Sequence, residues 1–330
     1  MTESTSTSPP NPSGPATPRP WNMFDPADRA RFVRNEPTIQ PDASNEALLQ
    51  NIVRLTDGVF DHLSVFEQFS ETTSRGALAD PGKKLDVAEA RDKLIRAERE
   101  LWQAYRILKD ARESFVQRQT RALGIDAGTR GLKIHFGSSH HLVQDWLNID
   151  AGGGDLMLNV NWGLPLPDGC ADFAYSAHLL EHLRYHDQAA VFVREIHRVL
   201  AAGGTLRLVV PDVKKLLAAY AAGDREFFEA RQEFYRLKDG FTRDGVANLD
   251  YILLFCGANQ QVLSYNHKFG YDFETLRGLL LDAGFDTVVE SDFQASERAE
   301  LLVDDFSYNA RARDRQGRHY SLFVEATKSR

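Results

Sequence analysis

Between Leu132 and Asp212, short apolar runs alternate with turn residues around one amphipathic stretch. Leu132 to Phe136, Trp146 to Asp150, Leu156 to Val160, Ala171 to Tyr175 and Thr205 to Val210 each have the length and composition of a strand, the last being strongly β-branched. Turn signals separate them: Gly137-Ser138-Ser139 after the first, Pro165 to Gly169 before the fourth, and Pro211-Asp212 after the fifth. Between the fourth and fifth, Leu179, Leu183, Val191, Ile196 and Val199 predict a helix that starts at Ser176-Ala177-His178 and stops at Gly203-Gly204. Farther on, Glu274 to Ala283 predicts a helix stopped by Gly284, flanked by final antiparallel strands at Phe285 to Glu290 and Tyr320 to Thr327. Strands alternating with helices predict an α/β fold on a mostly parallel sheet.

The flanks read differently. Residues 1–20 are dominated by Ser, Thr, Pro and Gly and bury too little surface to offset the entropy of ordering, which predicts a disordered tail. From Asn45 to Glu71, Leu48, Ile52, Leu55, Val59 and Phe66 recur at helical spacing behind a Ser44 or Asn45 cap. After a loop at Gly76 to Gly82, a long helix is predicted from Leu85 to Leu123. It carries a heptad of Val87, Leu94, Leu101, Leu108 and Phe115, each followed three residues later by Ala90, Ala97, Ala104, Ala111 and then Arg118. Such a repeat favours a supercoiled seam. A hairpin with the preceding helix is the favoured partner, and the same helix of a second subunit, giving a homodimer, is the alternative. The division expected is a tail at 1–20, an N-terminal helical region at 21–125 and the main domain at 126–330. Within the main domain, a helical insertion at about 213–272 is rich in aromatics, among them Phe227, Phe228, Tyr251, Phe255, Phe269 and Tyr271. These fit either the core of a helical subdomain or an aromatic lid over an acceptor.

Composition narrows the function. Apolar residues make up 42% of 330, with a formal net charge of −8 and a mean hydropathy of −0.39. That excludes a global basic footprint for nucleic acid. No segment has the length and apolarity of a membrane span. The two cysteines, Cys170 and Cys256, lie far apart and predict buried thiols in a reducing compartment, the cytoplasm being the default.

The ordered run of motifs resembles the core of the class I S-adenosylmethionine-dependent methyltransferases, in a bacterial subgroup associated with glycan and small-molecule pathways. It rests on Gly137-Ser138, Asp145 to Asp150, Leu164 to Gly169, Ser176 to His182, Arg198 to Gly204 and Val210-Pro211-Asp212, with a looser match over Tyr265 to Thr327. The resemblance implies a Rossmann-like doubly wound sheet with its last strand antiparallel, and S-adenosylmethionine as cofactor. The implied acceptor is a small molecule or sugar, with O-methylation favoured. By position, Gly137, Ser138, Asp150, Asn159, Ser176 and His178 fall at strand ends, where open α/β sheets bind ligands. Asp150 is then the ribose carboxylate, and Asn159, where the family often has Asp, the adenine reader. The glycine loop departs from the family pattern, since Gly137 is followed by Ser138, Ser139, His140 and His141. The short connection after it argues against a dinucleotide.

Oxygen acceptors call for a base, and histidine suits pH 7. His140, His141, His178, His182 and His267 are the candidates, with His178 and His267 preferred. No resident metal is expected. Two rival readings share the same residues. His178-Leu179-Leu180-Glu181-His182 matches the H-x-x-E-H metallopeptidase signature, in which a helix face would present both histidines to zinc. A non-catalytic scaffold that keeps the fold is the other.

Overall fold

The computed structural model describes residues 109–139, 141–239, 248–256 and 267–329, with scattered helical positions between 96 and 107. The expected tail, the 45–71 helix, the loop after it and most of the heptad, including Leu94, Leu101 and Leu108, lie outside the described residues, as does His140.

Helix α1 is described over residues 109–122, and its last turns bury Arg112, Phe115, Val116 and Thr120, which share one face. The sheet then forms from β1 (Leu132–Phe136), β2 (Leu147–Asp150), β3 (Leu156–Met157), β4 (Ala171–Ala177) and β5 (Leu200–Pro211). It closes with β6 (Thr287–Ser291) and β7 (Ser321–Thr327). Seven strands run in the order β3-β2-β1-β4-β5-β7-β6. β1 to β5 pair in parallel, while β7 is antiparallel to both β5 and β6. β3 is an edge strand, and α1 covers its open side chemically: the Gln119 amide donates to Met157 O at 3.0 Å and accepts from Met157 N at 2.9 Å. This side chain supplies the ladder bonds that a further strand would have made.

Strand alternation divides the core. Ile134, Phe136, Ala174, Leu206, Leu208, Val210, Leu322 and Val324 face α1, α2 (Ala190–Val199) and α6 (Phe273–Asp282). Tyr175, Ala177, Val209 and Phe323 face the other way, against Val143, Trp146, Leu301, Val303 and Ala310. Among the described residues, irregular chain with two 3₁₀ turns, Ala299–Leu301 and Asp304–Phe306, covers much of that second face.

Two expectations need correcting. The helix after β4 does not begin at His178. Leu180–His182 is one 3₁₀ turn, Tyr185–Ala189 a π turn, and only then does α2 start. The inward face is therefore Phe192, Val193, Ile196 and Val199, and Val191 is exposed. Nor do Gly203-Gly204 stop the helix. The chain enters β5 directly at Leu200, and the glycines sit in a bulge that moves the β4 partner from Leu200 to Thr205. A Cβ on Gly204 would meet Ala201 O at 2.9 Å and Asp172 O at 3.1 Å, so this crowding requires glycine.

The insertion is helical as expected: α3 (Val213–Ala221), α4 (Arg225–Asp239) and α5 (Asn248–Phe255). Phe227, Phe228, Tyr251, Phe255 and Tyr320 pack together with Leu216 and Ala219 into a small second core. For these aromatics the subdomain-core reading is the correct one. Among the described residues, no helix is long and apolar enough to cross a membrane. Both cysteines are free thiols, Cys170 being fully buried.

Candidate functional site

The strand order reverses direction between β1 and β4. In open α/β sheets, ligands bind at such a switch point, at the carboxyl ends of the strands. Phe136 of β1 lies beside Ser176 of β4. Gly137 leaves β1 with φ 72°. The place its Cβ would take is filled by Leu179, whose Cβ would lie 2.9 Å away. Ser138 and Ser176 are both buried, and neither hydroxyl has a hydrogen-bond partner among the described residues.

Asp150 ends β2 and faces the same loop. Its carboxylate accepts from Ser139 N at 3.0 Å and from Gly152 N at 2.8 Å, leaving further lone pairs open on a partly exposed group. Asn159 caps a 3₁₀ turn, Oδ1 accepting from Asn161 N at 2.9 Å.

Several conserved-looking motif residues prove to be braces. Asn148 donates to Val143 O, Trp146 O and Asp155 and accepts from Val143 N, which holds the Val143 to Trp146 loop onto β2. Arg198 grips the turn before β4, donating to Leu164 O and Leu166 O at 2.8 Å each and pairing with Glu195 and Asp168.

His178 follows β4 in the left-handed region, φ 55°, a strained position for a non-glycine residue. Its Nδ1 lies 3.0 Å from Glu181 Oε1 and its Nε2 3.0 Å from Ser321 Oγ. Both ring nitrogens are thus engaged by protein partners, and His178 orients Glu181.

The segment also fails as a peptidase signature. Because Leu180–His182 is a 3₁₀ turn, His178 and His182 do not share a helix face. The group that does form is Glu181, His182 and His267, with one ligand atom from each lying within 4.8 Å of the others. His267 is drawn in by the chain after it, since Lys268 N and Phe269 N both donate to Glu181 O, at 2.6 and 3.3 Å. The two imidazoles meet edge to face at 4.8 Å.

Charges in this group are sharply set. Burial would raise the Glu181 carboxyl, yet the charge and hydrogen bond of His178, with His182 and His267 adding, hold it at about 2. Burial lowers His267 to about 4, against the pull of Glu181. Near pH 7 the site therefore holds a carboxylate beside a neutral His267 imidazole. As a proton acceptor for an alcohol His267 is weak, since general bases work best with pKa values near the working pH.

Two clefts lie beside α3, of about 440 and about 610 Å³. The first is lined by Val213, Leu217, Gly270 and Asp272, the second by Phe227, Asp292, Arg318 and His319. Neither reaches Ser138, Asp150 or Ser176, so the switch point remains the stronger site on chemical grounds.

Comparison with known proteins adds a family match over part of the chain. A family model described as a methyltransferase domain matches residues 138–208. No curated protein matches by sequence. Among solved structures, the chain is similar to a methyltransferase of Thermotoga maritima described as a possible histamine N-methyltransferase. The two share 18% identity over 61% of this chain and 83% of that one, with a TM-score of 0.33. It is also similar to a methyltransferase of Archaeoglobus fulgidus, at 15% identity over 66% of this chain and 94% of that one, with a TM-score of 0.33. The matched segment runs from the loop after β1 into β5 and so contains Ser138, Asp150, Asn159 and Ser176, but not Gly137. Residues 138–208, 71 of the chain's 330, are thus similar to a methyltransferase domain.

Proposed function

We propose that the protein is a class I S-adenosylmethionine-dependent methyltransferase and that its donor, S-adenosylmethionine, binds across the carboxyl ends of β1, β2 and β4. The observation that carries this reading is the pair of buried hydroxyls of Ser138, in the loop after β1, and Ser176, on the neighbouring β4, both without a hydrogen-bond partner among the described residues, with the Asp150 carboxylate by the same loop. Buried polar atoms without partners are rare in folded proteins, and a polar ligand satisfies them. Asp150 would accept from the ribose hydroxyls. Gly137, Ser138 and Ser176 would line the approach, the backbone at His178 would close it, and Asn159 would lie toward the base. The donor supplies an activated methyl group. The protein's part is to hold that methyl in line with the acceptor and to keep water out.

The acceptor we favour is a small molecule or sugar hydroxyl. A net charge of −8 disfavours a polyanion such as nucleic acid. Two free cysteines suit a cytoplasmic setting. The test is calorimetry with S-adenosylmethionine on the purified full chain, followed by a screen of hydroxyl acceptors with labelled donor. Donor binding with transfer to a small hydroxyl compound supports the reading. No donor heat and no thermal shift would instead support a scaffold that keeps only the fold.

A further inference from the structure

We propose that Glu181, His182 and His267 form a binding site for a divalent first-row metal ion of the zinc type. The first observation is proximity: one ligand atom from each of the three lies within 4.8 Å of the others. Tetrahedral coordination at about 2.1 Å sets ligand atoms roughly 3.4 Å apart, so an arriving ion draws the three inward by roughly an ångström.

The second observation is independent and concerns unmet polar atoms. Glu181 is fully buried, and its Oε2 has no hydrogen-bond partner among the described residues. The Nδ1 atoms of His182 and His267 are also buried and without one. Three such atoms, one on each of the grouped residues, are costly, each forfeiting the hydrogen bond it had in water. A cation held by these residues satisfies whichever of these atoms ligate it.

The donor set selects the ion. Two imidazoles and one carboxylate suit zinc and its first-row neighbours, whereas magnesium prefers an all-oxygen shell. Three protein ligands leave at least one position for water or an added ligand. His182 and His267 are only partly buried, which leaves an entry path.

The surroundings support the ligands. His178 Nδ1 holds Glu181 Oε1 at 3.0 Å, and Ser321 Oγ holds His178 Nε2 at 3.0 Å, fixing which carboxylate oxygen is left for the ion. Such outer partners set ligand orientation. Lys268 N on Glu181 O ties the His267 strand to the Glu181 turn by backbone, so the two halves of the site cannot drift apart.

The proposal requires neither donor nor acceptor and stands apart from the methyl-transfer reading. Full-length protein stripped with a chelator is titrated with zinc alone and assayed by elemental analysis, while cobalt is added in parallel as a spectroscopic probe. The expected result is one zinc per chain, a raised melting temperature, and visible cobalt bands of a four- or five-coordinate nitrogen-containing site. Glu181→Gln, His182→Ala and His267→Ala should each lower zinc affinity by roughly 100-fold or more. His178→Asn should lower it by roughly 10- to 100-fold. His186→Ala, at an exposed ring nearby, should leave it unchanged. Should the ligand variants fail to fold, the cobalt spectrum of the native chain still decides. A spectrum of hydrated cobalt, no stoichiometric zinc on a folded chain, or uptake unchanged in folded ligand variants would each overturn the proposal.

Discussion

Arg207 donates Nε and Nη2 to the two carboxylate oxygens of Asp304, at 3.0 and 2.7 Å, across 97 residues of sequence, and both side chains are fully buried. Its Nη1 reaches Glu325 at 2.7 Å and Ser291 at 3.1 Å. Arg207 thus fastens the irregular chain between β6 and β7, which holds two 3₁₀ turns, onto β5. Removing one member leaves an uncompensated buried charge, which costs about 3–5 kcal/mol. Asp304→Ala should lower unfolding free energy by that amount in urea titrations. A loss below about 1 kcal/mol would mean that the apolar contacts of Leu301, Val303 and Ala310 suffice to hold the segment.

Acid should weaken the fold well before ordinary carboxylates titrate. Burial lowers His135 to about 4, the hydrogen bond to Asn148 opposing, and lowers His267 to about 4. A histidine depressed below its unfolded value of 6.5 binds its proton more weakly in the native state. Its contribution is therefore fully present above pH 6.5 and declines as pH falls toward 4. For His135, which is nearly inaccessible, the full loss is about 3 kcal/mol at that lower limit. Glu181, held at about 2, acts in a lower window: its contribution is present above 4.5 and is lost as pH falls toward 2. Calorimetric melts between pH 7 and 4 should show a falling midpoint, and His135→Phe should flatten part of that slope. A midpoint independent of pH over this range would show that neither histidine is buried neutral.

How much of this was legible in the sequence depends on where each residue finds its partners. Strands β1 to β7 follow from local apolar runs, because a strand inside a covered sheet needs only apolar side chains and a turn at each end. The switch-point residues follow from the same reading, since their place is fixed by the strand they end. The start of α2 was misread because Leu179, Leu183 and Val191 have helical spacing. What overrides it is tertiary: His178 takes φ 55°, and the Glu181 carbonyl is spent on Lys268 and Phe269 instead of on a helical turn. The Asp304 partner of Arg207 and the His267 partner of Glu181 lie far off in sequence, in segments with no periodic signal. His267 was visible as a candidate by residue type, but its company was not.

Gly137 separates two effects that glycine substitutions usually mix. At φ 72° any other residue pays about 1–2 kcal/mol for the left-handed conformation. An added Cβ there would also press on Leu179 at 2.9 Å. Gly124 has nearly the same φ, 69°, with nothing within 4 Å of the added atom. Gly124→Ala should therefore show the conformational cost alone, and Gly137→Ala a larger loss together with weaker donor binding. Equal losses at the two sites would show that Leu179 yields without cost.

Asp150 carries the sharpest test of the donor site, because it has a structural duty as well. Its two bonds to Ser139 N and Gly152 N hold the loops after β1 and β2. Asp150→Ala removes both duties and should weaken S-adenosylmethionine binding by about 1.5–3 kcal/mol, roughly 10- to 150-fold, while also lowering stability. Asp150→Asn keeps the shape and one acceptor oxygen, so it can hold one backbone donor but loses the charge-assisted bonds to a diol. If the carboxylate binds ribose, the Asn variant should keep most of the melting temperature and still lose most of the donor affinity. Calorimetry with S-adenosylmethionine beside thermal melts reads both quantities on the same samples. A folded Asn variant that binds the donor as tightly as the native chain would reduce Asp150 to a loop anchor and move the ribose contact elsewhere.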